Sequence, residues 1–302
     1  MLTLEALSVL DAIDRKGSFA AAALELHKVP SALSYTVKQL ESYLALSLFD
    51  RSGQKAVLTA EGRMVLKQGR ELLQGAELLT NKARLVATGW EPSLRIAVDS
   101  ILPMAPLWPL VNTLSHLNPS MEIEVREEAL TGCWEALAER RVDLLVGVSD
   151  TELAGLKIAK RSLGDLSFQL VCGADHPLAT QYANGVLEAD LKSYAQIVLR
   201  DSARHLARRS VGLYQVRRQI LVDHYYAKEQ AILAGLGFGF LPKRRIDHFL
   251  EDGRLIALSA IKPEFTSPLY LAWRADHSGR GVSWLVEHML SERAYKDYLV
   301  DN

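Results

Sequence analysis

Residues 17–51, GSFAAAALELHKVPSALSYTVKQLESYLALSLFDR, constrain this chain more than any other stretch: a short alanine-rich helix, a brief turn, then a second amphipathic helix. In the second helix Leu33, Val37, Leu40 and Leu44 recur on one face. At about 100° per residue, Ser31, Tyr35, Lys38 and Ser42 fall opposite, with Ser34 and Gln39 at the borders. That face carries hydrogen-bonding groups and a cation but no acid, which suits the major groove of duplex DNA. A polar stripe opposite an apolar one is more often simply solvated, so the neighbouring residues decide. Ser18 can cap the first helix, and Ala20 to Ala23 are small enough for a second helix to cross closely. The turn His27-Lys28-Val29 is short, and Pro30 sits where a first helical turn tolerates proline. Leu4, Leu7, Leu10 and Ile13 supply a further helix to complete a small core. A helix-turn-helix is the reading that uses all of these features.

These residues resemble the LysR-type transcriptional regulators. The likeness lies in SFAAAALEL, SALS, KQLE and LSLFDR, followed by Leu58-Thr59 and Gly62. It continues in His176-Pro177-Leu178 and in GLGFGFLP from Gly235 to Pro242, so it spans nearly the whole chain. The resemblance implies a multidomain protein. An all-α winged helix-turn-helix with a small wing near Gly53 to Val57 would occupy 1–59, and a linker or dimerisation helix 60–90. A two-lobed α/β effector-binding domain resembling the periplasmic binding proteins would occupy 91–302, with lobe one at 92–162 plus 269–302 and lobe two at 163–268. Val29 and Pro30 stand where the family usually has a Ser or Thr cap and a Gln, and Tyr35 stands where a basic residue is usual. A missing cap costs about 1 kcal/mol, and the lost Gln removes an adenine-type contact. The family's general half-site preference is therefore not carried over.

Charge lends modest support to DNA binding. The chain has 35 Lys plus Arg against 36 Asp plus Glu, and residues 1–90 carry 11 against 9. Affinity must come from a local patch: Lys28 and Lys38, with Arg51 and Lys55 flanking the wing, where they can touch phosphate or the minor groove. The other reading of Arg51 and Lys55 is a solvated surface. The N-terminus, LTLEALSVLDAIDRK, is unlike a secretory signal, and the uncharged stretch Ser100 to Leu117 is broken by three prolines. A cytoplasmic protein with no membrane partner is expected. Cys133 and Cys172 read as buried thiols of a reducing compartment, with a redox pair as the alternative. No metal-ligand spacing is present, and no cofactor is expected.

Residues 60–88 form a proline-free helical stretch with Val65, Gly69, Leu72, Ala76, Leu79, Ala83 and Val86 at alternating spacings of 4 and 3. Such a stripe can face a core in its own chain. A linker helix has no evident core, however, so self-association into a homodimer or homotetramer explains it better. A dimer presents two recognition helices to two half-sites.

After Trp90-Glu91-Pro92-Ser93 the pattern alternates between strands and helices, predicting an α/β architecture with largely parallel strands at Leu94–Val98, Ile123–Val125, Leu144–Val148 and Phe168–Cys172. Ligands in such folds sit beyond the carboxyl ends of strands. That places Ser100, Ile101, Leu102, Thr131, Trp134, Val148, Arg200 and Asp201 at a candidate effector site, with His224 and Tyr225 before a later helix. Ser100 beside a helix start suits an anion, Trp134 can wall an aromatic ring, and Arg200 can meet a carboxylate unless Asp201 neutralises it. Each also has an ordinary structural reading. Gly235, Gly237 and Gly239 read as a helix end followed by a strand, not as a phosphate loop.

The expected protein is a sequence-specific DNA-binding transcriptional regulator. Its partners would be double-stranded DNA, a small-molecule effector, copies of itself and RNA polymerase. One alternative is an α/β enzyme with an appended helix-turn-helix, against which stands the lack of a nucleophile elbow, Walker loop or HExxH helix. The other is a DNA-binding protein that needs no effector.

Overall fold

The computed structural model describes residues 1–50, 56–150, 156–182 and 188–299. The chain divides into two compact units, Met1–Arg84 and Leu85–Asn302.

Caps and small residues build the first unit. Helix α1 (Leu4–Lys16) starts at Thr3, whose Oγ1 accepts from the Ala6 N–H at 3.1 Å, and stops at Gly17 with φ 70°. Helix α2 (Phe19–Glu25) starts at Ser18, whose Oγ accepts from the Ala21 N–H at 3.2 Å. Ala22 and Ala23 are buried, and Leu7, Leu10 and Ile13 of α1 share their core with Leu33, Val37 and Leu40 of α3 (Pro30–Leu44). Val29 precedes α3 in extended backbone and makes no side-chain cap bond. Val29→Ser supplies the missing acceptor without altering the backbone. It is expected to raise the stability of this unit by about 1 kcal/mol, read as a higher urea midpoint.

Strands β1 (Phe49–Asp50) and β2 (Val57–Leu58) pair antiparallel as a small wing. Arg51 and Lys55 fall outside the described residues. Helix α4 (Ala60–Ala87) opens on Thr59, whose Oγ1 accepts from the Gly62 N–H at 2.9 Å and donates to the Ser47 carbonyl at 2.8 Å. Val65, Leu66 and Gly69 of α4 turn into the core of this unit, so the first part of the apolar stripe is used within the chain. Leu72, Leu79 and Val86 are 52%, 71% and 60% exposed.

The second unit is built on a nine-stranded sheet in which two parallel trios flank two long antiparallel strands. In the first trio β3 (Ser93–Asp99) lies between β4 (Glu122–Glu128) and β5 (Leu144–Val148), joined by α5 (Trp108–Leu117) and α6 (Thr131–Ala138). The second trio follows β6 (Ile158–Gly173) and α7 (Pro177–Tyr182). There β7 (Ala195–Leu199) lies between β8 (Arg218–Val222) and β9 (Phe238–Pro242), with α8 (Tyr225–Leu233) as the β8–β9 connection. After α9 (Lys243–Glu251) and β10 (Leu255–Ala257), β11 (Phe265–Arg274) returns between β5 and β6, and α10 (Arg280–Ser291) follows.

The sheet is therefore mixed, not largely parallel: β11 runs antiparallel to β5 and β6, and β6 antiparallel to β9 and β10. The long strands cross from one lobe to the other, and a chain that crosses and returns must run both ways. Along β11 the register against β6 shifts between Leu269 and Tyr270, and against β5 between Tyr270 and Leu271. Gly164, opposite Leu269, has φ 136°. Gly235, at φ 71°, ends the turn after α8 ahead of β9.

Candidate functional site

The solvent face of α3 presents Ser31, Ser34, Tyr35 and Lys38, all exposed. The Ser34 hydroxyl donates to the Pro30 carbonyl at 3.1 Å, and Gln39 Nε2 donates to the Tyr35 hydroxyl oxygen at 3.1 Å, pairing the two side chains one turn apart. Lys38 makes no hydrogen bond or ion pair among the described residues. Several other cations of this unit are engaged. Lys28 pairs with Glu5, Arg15 with Asp11 and Glu25, Lys16 with Glu25, and Arg70 with Asp11 and Asp14. Pro30 is exposed at the start of the face, while the Ser18 hydroxyl is used as a cap. A helix held by its apolar side thus offers an acid-free polar side with one open positive charge.

In the second unit the carboxyl end of β3 carries Asp99 and Ser100, both buried. Burial pushes the Asp99 carboxyl up to about 7. It nevertheless accepts from the N–H groups of Ile101 and Leu130 at 3.2 and 3.3 Å, and from the Cys133 thiol at 3.5 Å. The buried Ser100 hydroxyl has no hydrogen-bond partner. The Thr131 hydroxyl lies near the Asp201 carboxylate without completing a hydrogen bond. Leu102 is 2% exposed and packs against Gly147, where a Cβ would stand 2.4 Å from its side chain. Trp134 and Val148 are enclosed with Cys133, Leu145 and Ala272 in an apolar layer.

On the other lobe Arg200 pairs with Asp223 at 3.3 Å, with its side chain half exposed. His224 caps α8, its Nδ1 accepting from the Ala227 N–H at 3.1 Å. Tyr225 is buried beneath the Lys228 ammonium, 5.2 Å from the ring centre. The Asp201 carboxylate turns away from Arg200 and accepts from the N–H groups of Thr131 and Gly132 at 3.2 and 3.0 Å. The structure thus gathers Ser100, Ile101, Thr131 and Asp201 around the ends of β3, β4 and β7, and sets Arg200 apart with Asp223.

Sequence reasoning missed Glu135. It is 1% exposed in a helix whose residues Thr131 to Leu137 are all buried, and one acid in so apolar a run was the available signal. It missed also the role of Glu91, which accepts from His277 Nε2, Gly281 N–H and Val282 N–H at 2.8, 2.7 and 3.3 Å. A separate cavity of about 550 Å³ lies in the second lobe between Val211, Gly212, Tyr214, Phe240, Ile261 and Phe265, and no candidate effector residue lines it. Among the described residues there is no cluster of His, Cys, Asp and Glu placed to hold a metal ion, and no helix is long and apolar enough to cross a membrane.

A winged helix-turn-helix followed by a two-lobed mixed sheet defines the class of DNA-binding regulators that carry a ligand-type domain behind the reading head. Residues 4–63 match the model of the bacterial regulatory helix-turn-helix protein, lysR family, and residues 87–294 match that of the LysR substrate binding domain. The chain belongs to the LysR family of transcriptional regulators. It is 38% identical over 290 residues to the probable HTH-type transcriptional regulator YhaJ of Escherichia coli strain K12, covering 95% of this chain and 96% of that one. It is 35% identical over 296 residues to the HTH-type transcriptional regulator PunR of the same strain, covering 97% and 94%. The fold is shared with a C206 mutant of OxyR from Corynebacterium glutamicum, at TM-score 0.61 and 18% identity over 99% of this chain and 98% of that one.

Proposed function

We propose that this LysR-type regulator reads its operator with Ser31, Ser34, Tyr35 and Lys38 of α3, assisted by Pro30, Lys28 and the wing residues Arg51 and Lys55. The observation that carries this reading is the exposed, acid-free side of α3 with its one open cation. Lys38→Ala is expected to weaken binding equally on operator and random DNA and to lower the salt slope by about 1. Tyr35→Ala is expected to lose about 1–3 kcal/mol of discrimination at one base position. Fluorescence anisotropy on both DNAs across a salt series checks the two; equal losses for Tyr35→Ala on both would remove it from base reading.

In this proposal residues 1–59 form the reading head, 60–90 the linker and 91–302 the effector domain of a cytoplasmic homo-oligomer. Leu72, Ala76, Leu79, Ala83 and Val86 are its self-association seam, supported by three large exposed apolar side chains on one helix. Val65 is already committed to the chain's own core. Leu79→Lys is expected to shift the protein toward monomers, as read by sedimentation velocity. A small-molecule effector contacts the Ser100 hydroxyl and the ends of β3 and β4, and shifts the assembly that engages DNA and RNA polymerase. Footprinting the DNA upstream of its own and neighbouring genes, with and without candidate metabolites, tests the coupling; a footprint and transcription that no metabolite alters would overturn it.

A further inference from the structure

The two lobes of the second unit exchange carboxylates. Asp201 follows β7 in one lobe and reaches α6 in the other, where it accepts from Thr131 and Gly132 while also binding the N–H groups of Ala203 and Arg209 at 2.9 and 2.7 Å. In return Glu135 of α6 accepts from the N–H groups of Arg204, His205 and Leu206 at 2.8, 2.6 and 2.7 Å. Between them the Ser202 hydroxyl donates to Glu128 at 2.6 Å and accepts from the Ala129 N–H at 2.9 Å. Both carboxylates are almost wholly buried, at 3% and 1% exposure. Burial pushes both carboxyls up, yet the N–H donors outweigh it and hold them below their ordinary range, Glu135 at about 2.

Fit is as close as the bonding. A Cβ on Gly132 would stand 1.9 Å from the Ser202 hydroxyl and 2.8 Å from its carbonyl carbon, so only glycine admits the segment. Residues 200–217 contain no helix or strand, yet five of their N–H groups are held by these two carboxylates. A loop so held is unusual, since exposed irregular segments normally give their amides to water. The niche at the start of α6, where a dissolved anion would lie, is filled by the chain itself.

We propose that Asp201 and Glu135 form a reciprocal latch that holds the two lobes together without a bound small molecule. The latch stands on this geometry. Its consequence, that an effector entering between the lobes works by parting them, rests on the effector reading above.

Amide hydrogen exchange on the full-length protein, with no small molecule added, tests the latch. The amides of 131–132, 203–206 and 209 are expected to exchange slowly in the parent. Asp201→Ala is expected to accelerate its own partners and also 204–206, which only Glu135 holds, by at least about tenfold. Glu135→Ala is expected to accelerate 131–132 in turn. Gly132→Ala keeps both carboxylates and must give the same coupled loss, because it separates the segments. Unchanged protection in β3 and β7 shows that each variant is folded. If a variant unfolds, Glu135→Gln, which keeps both acceptor positions' shape but not the charge, must still accelerate 131–132. Acceleration confined to each carboxylate's own partners would overturn the latch, as would fast exchange at 204–206 in the parent. A coupled loss alongside a DNA footprint that no metabolite alters would leave the latch standing and overturn only the effector reading.

Discussion

Gly62→Ala is expected to destabilise the DNA-reading unit by about 3 kcal/mol and to abolish operator binding under conditions where the parent binds. The added methyl would stand 2.2 Å from the Leu48 carbonyl oxygen and 3.0 Å from its carbon, both backbone atoms that carry the wing. Neither can turn aside as a side chain could. The same neighbourhood is tied by Thr59, which joins the first turn of α4 to Ser47, and by Glu41, whose carboxylate accepts from the Leu48 N–H at 2.8 Å. To make room, α4 must lift from the wing and take Val65 and Leu66 out of the core. Gly75 on the same helix has nothing within 4 Å of its would-be Cβ. Gly75→Ala is therefore expected to gain about 0.5–1 kcal/mol from helix propensity alone. Urea denaturation followed by circular dichroism should show opposite signs for these two identical substitutions, and equal signs would refute the contact argument.

Glu91→Ala is expected to cost the second unit about 2–4 kcal/mol, because it strands the buried amides of Gly281 and Val282 and leaves His277 without its partner. The pair also gives stability a pH dependence of known sign. Burial raises the Glu91 carboxyl, but His277 and the two amides outweigh it and hold the group below its ordinary 4.5. Its contribution is present above 4.5 and lost as pH falls through the lowered value. The hydrogen bond from His277 to Glu91 raises the imidazole above its ordinary 6.5, so that contribution is full below 6.5 and lost as pH rises through the raised value. The pair therefore stabilises most between about pH 4.5 and 6.5. The difference in urea midpoint between the parent and His277→Ala, measured from pH 4 to 9, should peak in that window. A difference that grows steadily to pH 9 would contradict the assignment.

The reading head was legible in the sequence because its determinants are local. Ser18, Pro30 and the Leu33, Val37, Leu40 stripe each act within one or two helical turns, and a pattern of that range survives without tertiary context. The long strands were legible only in part. The buried second half of β6 was read as a strand at Phe168–Cys172, but its first half, IAKRSLGD, is polar and half exposed, and β11 contains Pro268, so neither the length of β6 nor the presence of β11 showed as an apolar run. Both strands are fixed by their pairing with each other over ten registered residues, which is information held between distant segments. The candidate site divides the same way. Position after a strand end identified Ser100 and Asp201, but the direction in which Asp201 points depends on how the lobes meet. Arg200 likewise found its partner in Asp223, across a parallel strand pair that the sequence did not disclose. Glu135 was hidden because nothing in one helix says which distant amides will need a carboxylate.

The two register shifts of β11, on either side of Tyr270, and the positive φ of Gly164 opposite Leu269 fall within three residues of β11, on the strands between one parallel trio and the other. An unbroken ladder with one irregular stretch behaves as a plate with a crease. Register shifts of this kind bend the strand and strengthen its twist, so the turn of one trio relative to the other is set at that line. The outermost strands, β4 and β8, lie farthest from the crease and sweep the longest arc for a given twist. A small difference in twist at Leu269 and Tyr270 is thus magnified at the rims of the domain.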